Sequence, residues 1–316
     1  MTDYRPTVRS RAIYIANLVA QCLIIVTGVV VRLTASGLGC PTWPQCVPGS
    51  YTPTAHQAQA WHKYIEFGNR LLTFVLVVIA LAAIATALLD AMGSRRRGVP
   101  VRRDVLALAC VPILGTVAQA VLGGITVITG LNPYTVSAHL LVSMGIVAGS
   151  VALVVRSRVT PPRPLVVPPI VNALAWTLVA VSAAVVFVGV AVTGSGPHSG
   201  DSTATRLPLD TRTVAWFHAD LVLLFLGLLI GLIVALAVVH APRRALQTAI
   251  LLVVIAVAQG TLGYTQYFLG VPELLVALHV TGATALWVTV VFIPSTLRVS
   301  AGTDRSQPAG TATPDR

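Results

Sequence analysis

Residues 118–149, AQAVLGGITVITGLNPYTVSAHLLVSMGIVAG, and residues 258–287, AQGTLGYTQYFLGVPELLVALHVTGATALW, are two copies of one pattern. Each opens Ala-Gln. Each has Leu-Gly three residues after the Gln, a Gly eleven after it and a His twenty after it, which pairs Gln119 with Gln259 and His139 with His279. A second match lies upstream. GVVVRLTASGLG from Gly28 and GVAVTGSGPHSG from Gly189 each end an apolar run and open a long polar loop. Matches in this order and spacing mark an internal duplication.

Around these segments run eight apolar stretches, near 12–32, 67–90, 104–128, 136–155, 168–192, 214–239, 245–268 and 274–297. About 20 apolar residues cross a bilayer as a helix. Closed barrels also satisfy their backbone in lipid, but their strands are shorter than these runs. Composition agrees: the chain is 55% hydrophobic and 10% charged, with mean hydropathy +0.83. That leaves too little polar surface for a soluble globule. The first run is too long for the apolar region of a signal peptide and no cleavage site follows it, so it reads as a retained helix.

A net charge of +11 raises nucleic acid as a partner, but the distribution of charge rejects it. With the N-terminus placed in the cytoplasm, Arg5, Arg9, Arg11, Arg95, Arg96, Arg97, Arg102, Arg103, Arg156, Arg158, Arg163, Arg243, Arg244, Arg298, Arg305 and Arg316 fall inside, 16 of the 21 Lys and Arg. Arg32, Lys63, Arg70, Arg206 and Arg212 fall outside or at outer helix ends. This is the positive-inside bias for eight spans with both termini cytoplasmic.

The halves therefore run parallel, related by an axis along the membrane normal. The expected fold is an all-α integral membrane protein of two tandem, pseudo-symmetric four-helix bundles. Residues 1–11 form a cytoplasmic N-terminus, 12–160 the first bundle, 161–298 the second, and 299–316 a polar, disordered cytoplasmic tail. Each half has one long outer loop (33–61 and 193–213) and one tight turn (Leu131-Asn132-Pro133 and Gly270-Val271-Pro272).

Four of the seven histidines, His62, His139, His218 and His279, lie at the outer ends of even-numbered spans. An ionisable residue inside a span is a functional candidate. A zinc site wants three or four ligands, which the cysteines do not supply. A heme needs only one or two axial His and an apolar slot, and the many glycines of these helices can open one. The pattern thus points to one heme site per half, near the outer face. The halves differ, however. His218 in WFHAD lies 25 residues before Arg243, and Asn69 in HKYIEFGNR lies 26 before Arg95, so Asn69 is the depth counterpart of His218. His62 lies about two turns further out. Glu66 shares its face and is also i, i+4 from Arg70, so it is either one side of an ion pair at the membrane edge or a proton-handling carboxylate.

These residues carry a resemblance. RLTASGLGCPTWPQC (Arg32–Cys46), IEFGNR (65–70), the two His-bearing helices and the duplicated eight-span plan resemble the heme A synthase family, over nearly the whole chain from about Arg11 to Arg298. The resemblance implies an oxidoreductase of the cell membrane that converts the C8 methyl of heme O to a formyl group, giving heme A for terminal oxidases. It implies an N-terminal bundle that takes heme O and heme A as substrate and product, and a C-terminal bundle that binds heme b. By position, His218 and His279 look like the axial pair of heme b, His139 like an axial ligand of the N-terminal heme, and Glu66 like the family's helix 2 glutamate. Many members have Glu-x-x-His-Arg, whereas this chain has Asn69 at that His. Either His62 reaches in as the second ligand, or the N-terminal heme has His139 alone. Implied partners are membrane lipid, heme O handed over by heme O synthase, an electron donor and the terminal oxidase assembly. A homo-oligomer is compatible and nucleic acid is not expected.

A diheme cytochrome b that only transfers electrons, for instance from quinol, is the competing reading, and a transporter built on a parallel repeat is a weaker one. The outer placement puts Cys40 and Cys46 in an oxidising compartment, where disulfides persist. A disulfide that orders a lid over the N-terminal half is expected, with a redox-active pair as the alternative.

Overall fold

The computed structural model describes residues 8–158 and 164–298. They form eight α-helices: α1 (Val8–Leu33), α2 (His62–Arg96), α3 (Arg103–Ile128), α4 (Pro133–Ser157), α5 (Pro169–Ser195), α6 (Thr211–Val238), α7 (Arg243–Phe268) and α8 (Glu273–Thr296). All eight are long and apolar enough to cross a membrane, and no strand occurs among the described residues. The segment 299–316, expected to be a disordered tail, and residues 1–7 of the expected N-terminal segment lie outside the described residues.

Each expected span is present, and α2 is longer than hydropathy indicates. It begins at His62, not near Phe67, because the polar residues of its first turns are bonded to the preceding loop. The two repeated hairpin turns share one backbone solution. Leu131 N donates to Thr126 O at 2.8 Å and Gly130 N to Val127 O, while Val271 N donates to Gln266 O at 2.7 Å and Gly270 N to Tyr267 O. This is the double closure of a Schellman motif. It needs a left-handed residue after the helix, and Gly130 (φ 63°) and Gly270 (φ 74°) supply it without a Cβ clash. Asn132 then caps α4, its side chain accepting from Tyr134 N, with Pro133 in the first turn.

Helix α1 packs against α2 and α4, and α3 against α2 and α4. Likewise α5 packs against α6 and α8, and α7 against α6 and α8. Contacts of α4 with α5 and α8, and of α1 with α8, join the two sets. Trp287 Nε1 on α8 donates to Met144 O on α4 at 2.9 Å, so this seam is bonded as well as packed. At the end carrying the long loops, Arg32 donates through Nη2 to Thr193 O at 2.6 Å and through Nε to His198 O, and Gly37 N donates to Gly200 O at 2.9 Å. Outward-facing side chains are large and apolar, including Phe74, Leu114, Ile170 and Phe268. Such a surface suits lipid.

Candidate functional site

The four key positions sit at matched depths. His139 is the seventh residue of α4 and His279 the seventh of α8, counting Pro133 and Glu273 as first. His218 is the eighth residue of α6 and Asn69 the eighth of α2. Each histidine ring rests against a glycine of the neighbouring helix. A Cβ on Gly123 would lie 3.3 Å from His139 Cε1, one on Gly263 3.4 Å from His279 Cε1, and one on Gly189 3.0 Å from His218 Cε1. The missing side chain is what lets each imidazole edge approach the helix.

The carbonyl four residues before the glycine faces the ring in two cases, Val185 for His218 and Gln259 for His279. No hydrogen bond is closed there, and Nδ1 of all three histidines is buried without a partner. His218 and His279 lie within electrostatic reach of each other. Half-buried imidazoles seated on glycines, each with an unpaired Nδ1, suit an axially ligated heme. The residues present therefore fit that cofactor.

At the corresponding place in the first half, Asn69 Oδ1 accepts from Thr27 Oγ1 on α1 at 2.8 Å. With the shorter side chain drawn to Thr27, a Cβ on Gly28 would meet nothing within 4 Å, whereas its counterpart Gly189 is closed by His218. Gly68 and Gly145 also face open space. The repeated glutamines brace both hairpins. Gln119 Nε2 donates to His139 O at 2.8 Å, and Gln259 lies against Gly282, which has no side chain to exclude it.

The long loop between α1 and α2 is tied down by α2. Arg70 donates to Glu66 Oε1 from Nη2 at 2.6 Å and from Nε at 3.1 Å. It also donates to the carbonyls of Thr42 (3.0 Å), Gln45 (3.3 Å) and Cys40 (2.8 Å). Glu66 is buried, and its Oε2 accepts from Cys40 N at 2.6 Å. Buried Lys63 donates to Thr54 O and Ala55 O at 2.6 and 3.1 Å. His62 Nδ1 pairs with Ser36 Oγ at 3.0 Å, and its ring stacks on Trp61. Cys40 and Cys46 form the expected disulfide, Cα atoms 4.3 Å apart, so both ends of that short loop are fixed to the latch. Gln57 adds a bond to Gly39 O.

Sequence reasoning missed how the loop meets the helices. Trp43, between the two cysteines, lays its indole on Gly124, where a Cβ would come within 2.5 Å of Cδ2. Gly123 admits His139 and Gly124 admits Trp43, so the paired glycines serve two neighbours. The second half has Gly263-Tyr264 at these positions and no cysteine loop; that difference was the available signal. Gly124→Ala therefore lifts Trp43 off α3. Overpacking of this kind costs about 1–3 kcal/mol, so proteolysis within residues 47–61 should quicken about tenfold per 1.4 kcal/mol. Adding Trp43→Leu should relieve the clash and restore most of the protection.

All the expected site residues fall at one end of the helices, in two groups. His62, Glu66 and Arg70 gather on the disulfide loop, and Asn69 and His139 lie inward of it in the first half. His218 and His279 lie at the same end of α6 and α8 in the second. Known proteins resemble the chain over part of its length. It is 28% identical to Heme A synthase of Geobacillus kaustophilus (strain HTA426) over 142 residues, which is 44% of this chain and 41% of that protein. It is 29% identical to Heme A synthase of Geobacillus thermodenitrificans over 143 residues, again 44% and 41%. The chain thus spans about two fifths of the length of these curated relatives. The COX15-CtaA family profile, described as a cytochrome oxidase assembly protein, matches residues 11–291, which takes in both groups and all eight helices. A match that runs through Glu66 and Arg70, through His139, His218 and His279, and along the helices that carry them leaves one conclusion: the chain belongs to the COX15-CtaA family of cytochrome oxidase assembly proteins.

Proposed function

We propose that the protein is a heme A synthase, which oxidises the C8 methyl of heme O to a formyl group and supplies heme A to terminal oxidases. In this reading, 12–160 and 161–298 are tandem four-helix bundles related by pseudo-symmetry, with both termini cytoplasmic and the heme sites and cysteine loop outward. His218 and His279 hold heme b. His139 holds heme O or heme A.

The observation that carries the reading is the asymmetry at the eighth residue of α2 and α6. Where the second half has His218 closing the gap at Gly189, the first has Asn69 turned to Thr27 and the gap at Gly28 open. Two closed sites would suit plain electron transfer. One closed and one open site suits a resident electron-carrying heme beside a porphyrin that must be bound, altered and released. When bound, the iron porphyrin supplies the oxidising chemistry that an unactivated methyl requires. The protein's part is orientation, proton handling and exclusion of water. His139, fixed against Gly123 and braced by Gln119, orients the substrate porphyrin. Glu66 is the carboxylate placed to hold a proton at the outer mouth. Arg70 and the disulfide loop keep that mouth covered, and His62, engaged by Ser36, serves the cover and not the iron.

The test is conversion. Membranes holding this protein together with a heme O synthase should accumulate heme A by chromatography and mass analysis. Retention of heme O unchanged, with the protein present and folded, would refute the proposal.

A further inference from the structure

On α1, Ser10, Tyr14, Asn17 and Gln21 recur at spacings of four, three and four, which places them on one helix face. All four are buried, at 4%, 0%, 0% and 4% exposure. Tyr14 packs among Ala83, Ala87, Val105, Ala109, Leu153 and Val154, drawn from α2, α3 and α4. The face therefore looks into the space between the first four helices. Ser10 Oγ donates to Asp90 on α2 at 3.4 Å, and Asn17 Nδ2 to Ser150 Oγ on α4 at 3.2 Å. Asn17 Oδ1 and Gln21 Nε2 are buried with no hydrogen-bond partner. Two turns beyond Gln21, on the same face, lies Gly28 with its open gap.

The duplication supplies an internal control. With Gly28 aligned to Gly189, the counterparts on α5 are Val171, Ala175, Leu178 and Ser182, at 4%, 0%, 0% and 1% exposure. The first three belong to one continuous apolar core with Phe225, Leu229 and Leu232. The same face is thus equally buried in both halves. It is mainly apolar where His218 closes the gap, and polar where the gap is open. Each unpaired buried polar group costs about 1–3 kcal/mol. The α5 face carries one such group, the Ser182 hydroxyl, at the rung matching Gln21, and packs as Val171, Ala175 and Leu178 at the other three, so helix packing alone does not require a polar side chain at all four rungs. Hydroxyls both donate and accept, as proton hopping demands, and buried amides can do so through bridging water. From Ser10 to Gln21 the stripe covers ~16 Å at the helical rise. At the other mouth, both Glu66 oxygens are already engaged by Arg70 and Cys40.

We propose that the stripe Ser10–Tyr14–Asn17–Gln21, with Asp90 and Ser150, conducts protons between the Ser10 end of α1 and the open gap at Gly28. This rests on reading that gap as the site of the substrate porphyrin. Turning a methyl into a formyl group moves protons as well as electrons, and the stripe gives them an inner route distinct from Glu66.

The test uses the full-length, heme-loaded protein in liposomes. The N-terminal heme is reduced by a photochemical one-electron donor, and impermeant pH dyes follow proton uptake on each face. Uptake from the Ser10 face should be at least tenfold slower in Asn17→Leu and in Gln21→Leu, with heme spectra and content unchanged. Asn17→Ser should keep most of the rate. Leu178 shows that a leucine packs at the matching place, and Gln21→Leu tests a second rung if Asn17→Leu is poorly folded. Equal rates in the wild type and both leucine variants, or wild-type uptake only from the loop face, would overturn the inference. If the wild type holds only heme b, the proposed function fails instead, and pigment content shows that before any proton is counted.

Discussion

Replacing His279 by leucine should remove one heme per chain, the proposed heme b, and leave the N-terminal heme in place. His279 and His218 lie at the same end of their helices, each seated against a glycine of the preceding helix, Gly263 and Gly189. Leucine cannot ligate iron, and the remaining imidazole cannot hold a two-ligand site alone. Changes to outer-shell partners of a metal ligand already cost 10–100-fold in affinity, so loss of the ligand itself should cost at least about that much. His218→Leu should behave identically, and His139→Leu should remove the other heme. Absorbance and pyridine hemochrome content of the purified variants read the result. Unchanged heme content in either His218→Leu or His279→Leu would dismiss the assigned pair.

Arg70→Leu should have the next largest effect, on the outer loop and not on the second half. The substitution strips Glu66 of its cation while leaving Cys40 N–H as a partner, and removes bonds to three loop carbonyls, of which Gln45 O alone keeps a second donor, Thr42 Oγ1. Breaking a buried ion pair by deleting one member costs about 3–5 kcal/mol. Arg70 is 22% exposed at its side chain, which favours the lower end. The loop 40–61 should become protease-sensitive and heme A formation should fall, with the His218–His279 heme retained. Arg70→Lys should be intermediate, because lysine keeps the charge but cannot span Glu66 and three carbonyls with one planar fork. Full protection of the loop in Arg70→Leu would show that the disulfide and Trp43 suffice to hold it.

Much of this is legible in the sequence. Hydropathy alone located the eight spans, because lipid admits few alternatives to a long apolar helix. Counting from the inner arginines matched Asn69 to His218, and both prove to be the eighth residue of their helices. The start of α2 was not legible, because Lys63 and Glu66 end the apolar run while their bonds to the loop continue the helix. Nor was the seat of Trp43 on Gly124, a contact across 81 residues that no local period encodes. The polar face of α1 was present in the sequence as a regular spacing. Its burial, and the apolar nature of the matching face on α5, became meaningful only once both were placed inside their helices.

The proposed function places two unlike hemes in the two repeated halves. The most direct measurement is extraction of the pigments from the purified, full-length protein, followed by chromatography and mass analysis. The expected result is heme b at one per chain together with heme O, heme A or an intermediate between them. Heme b alone, at two per chain, would contradict it and make the protein a diheme electron carrier.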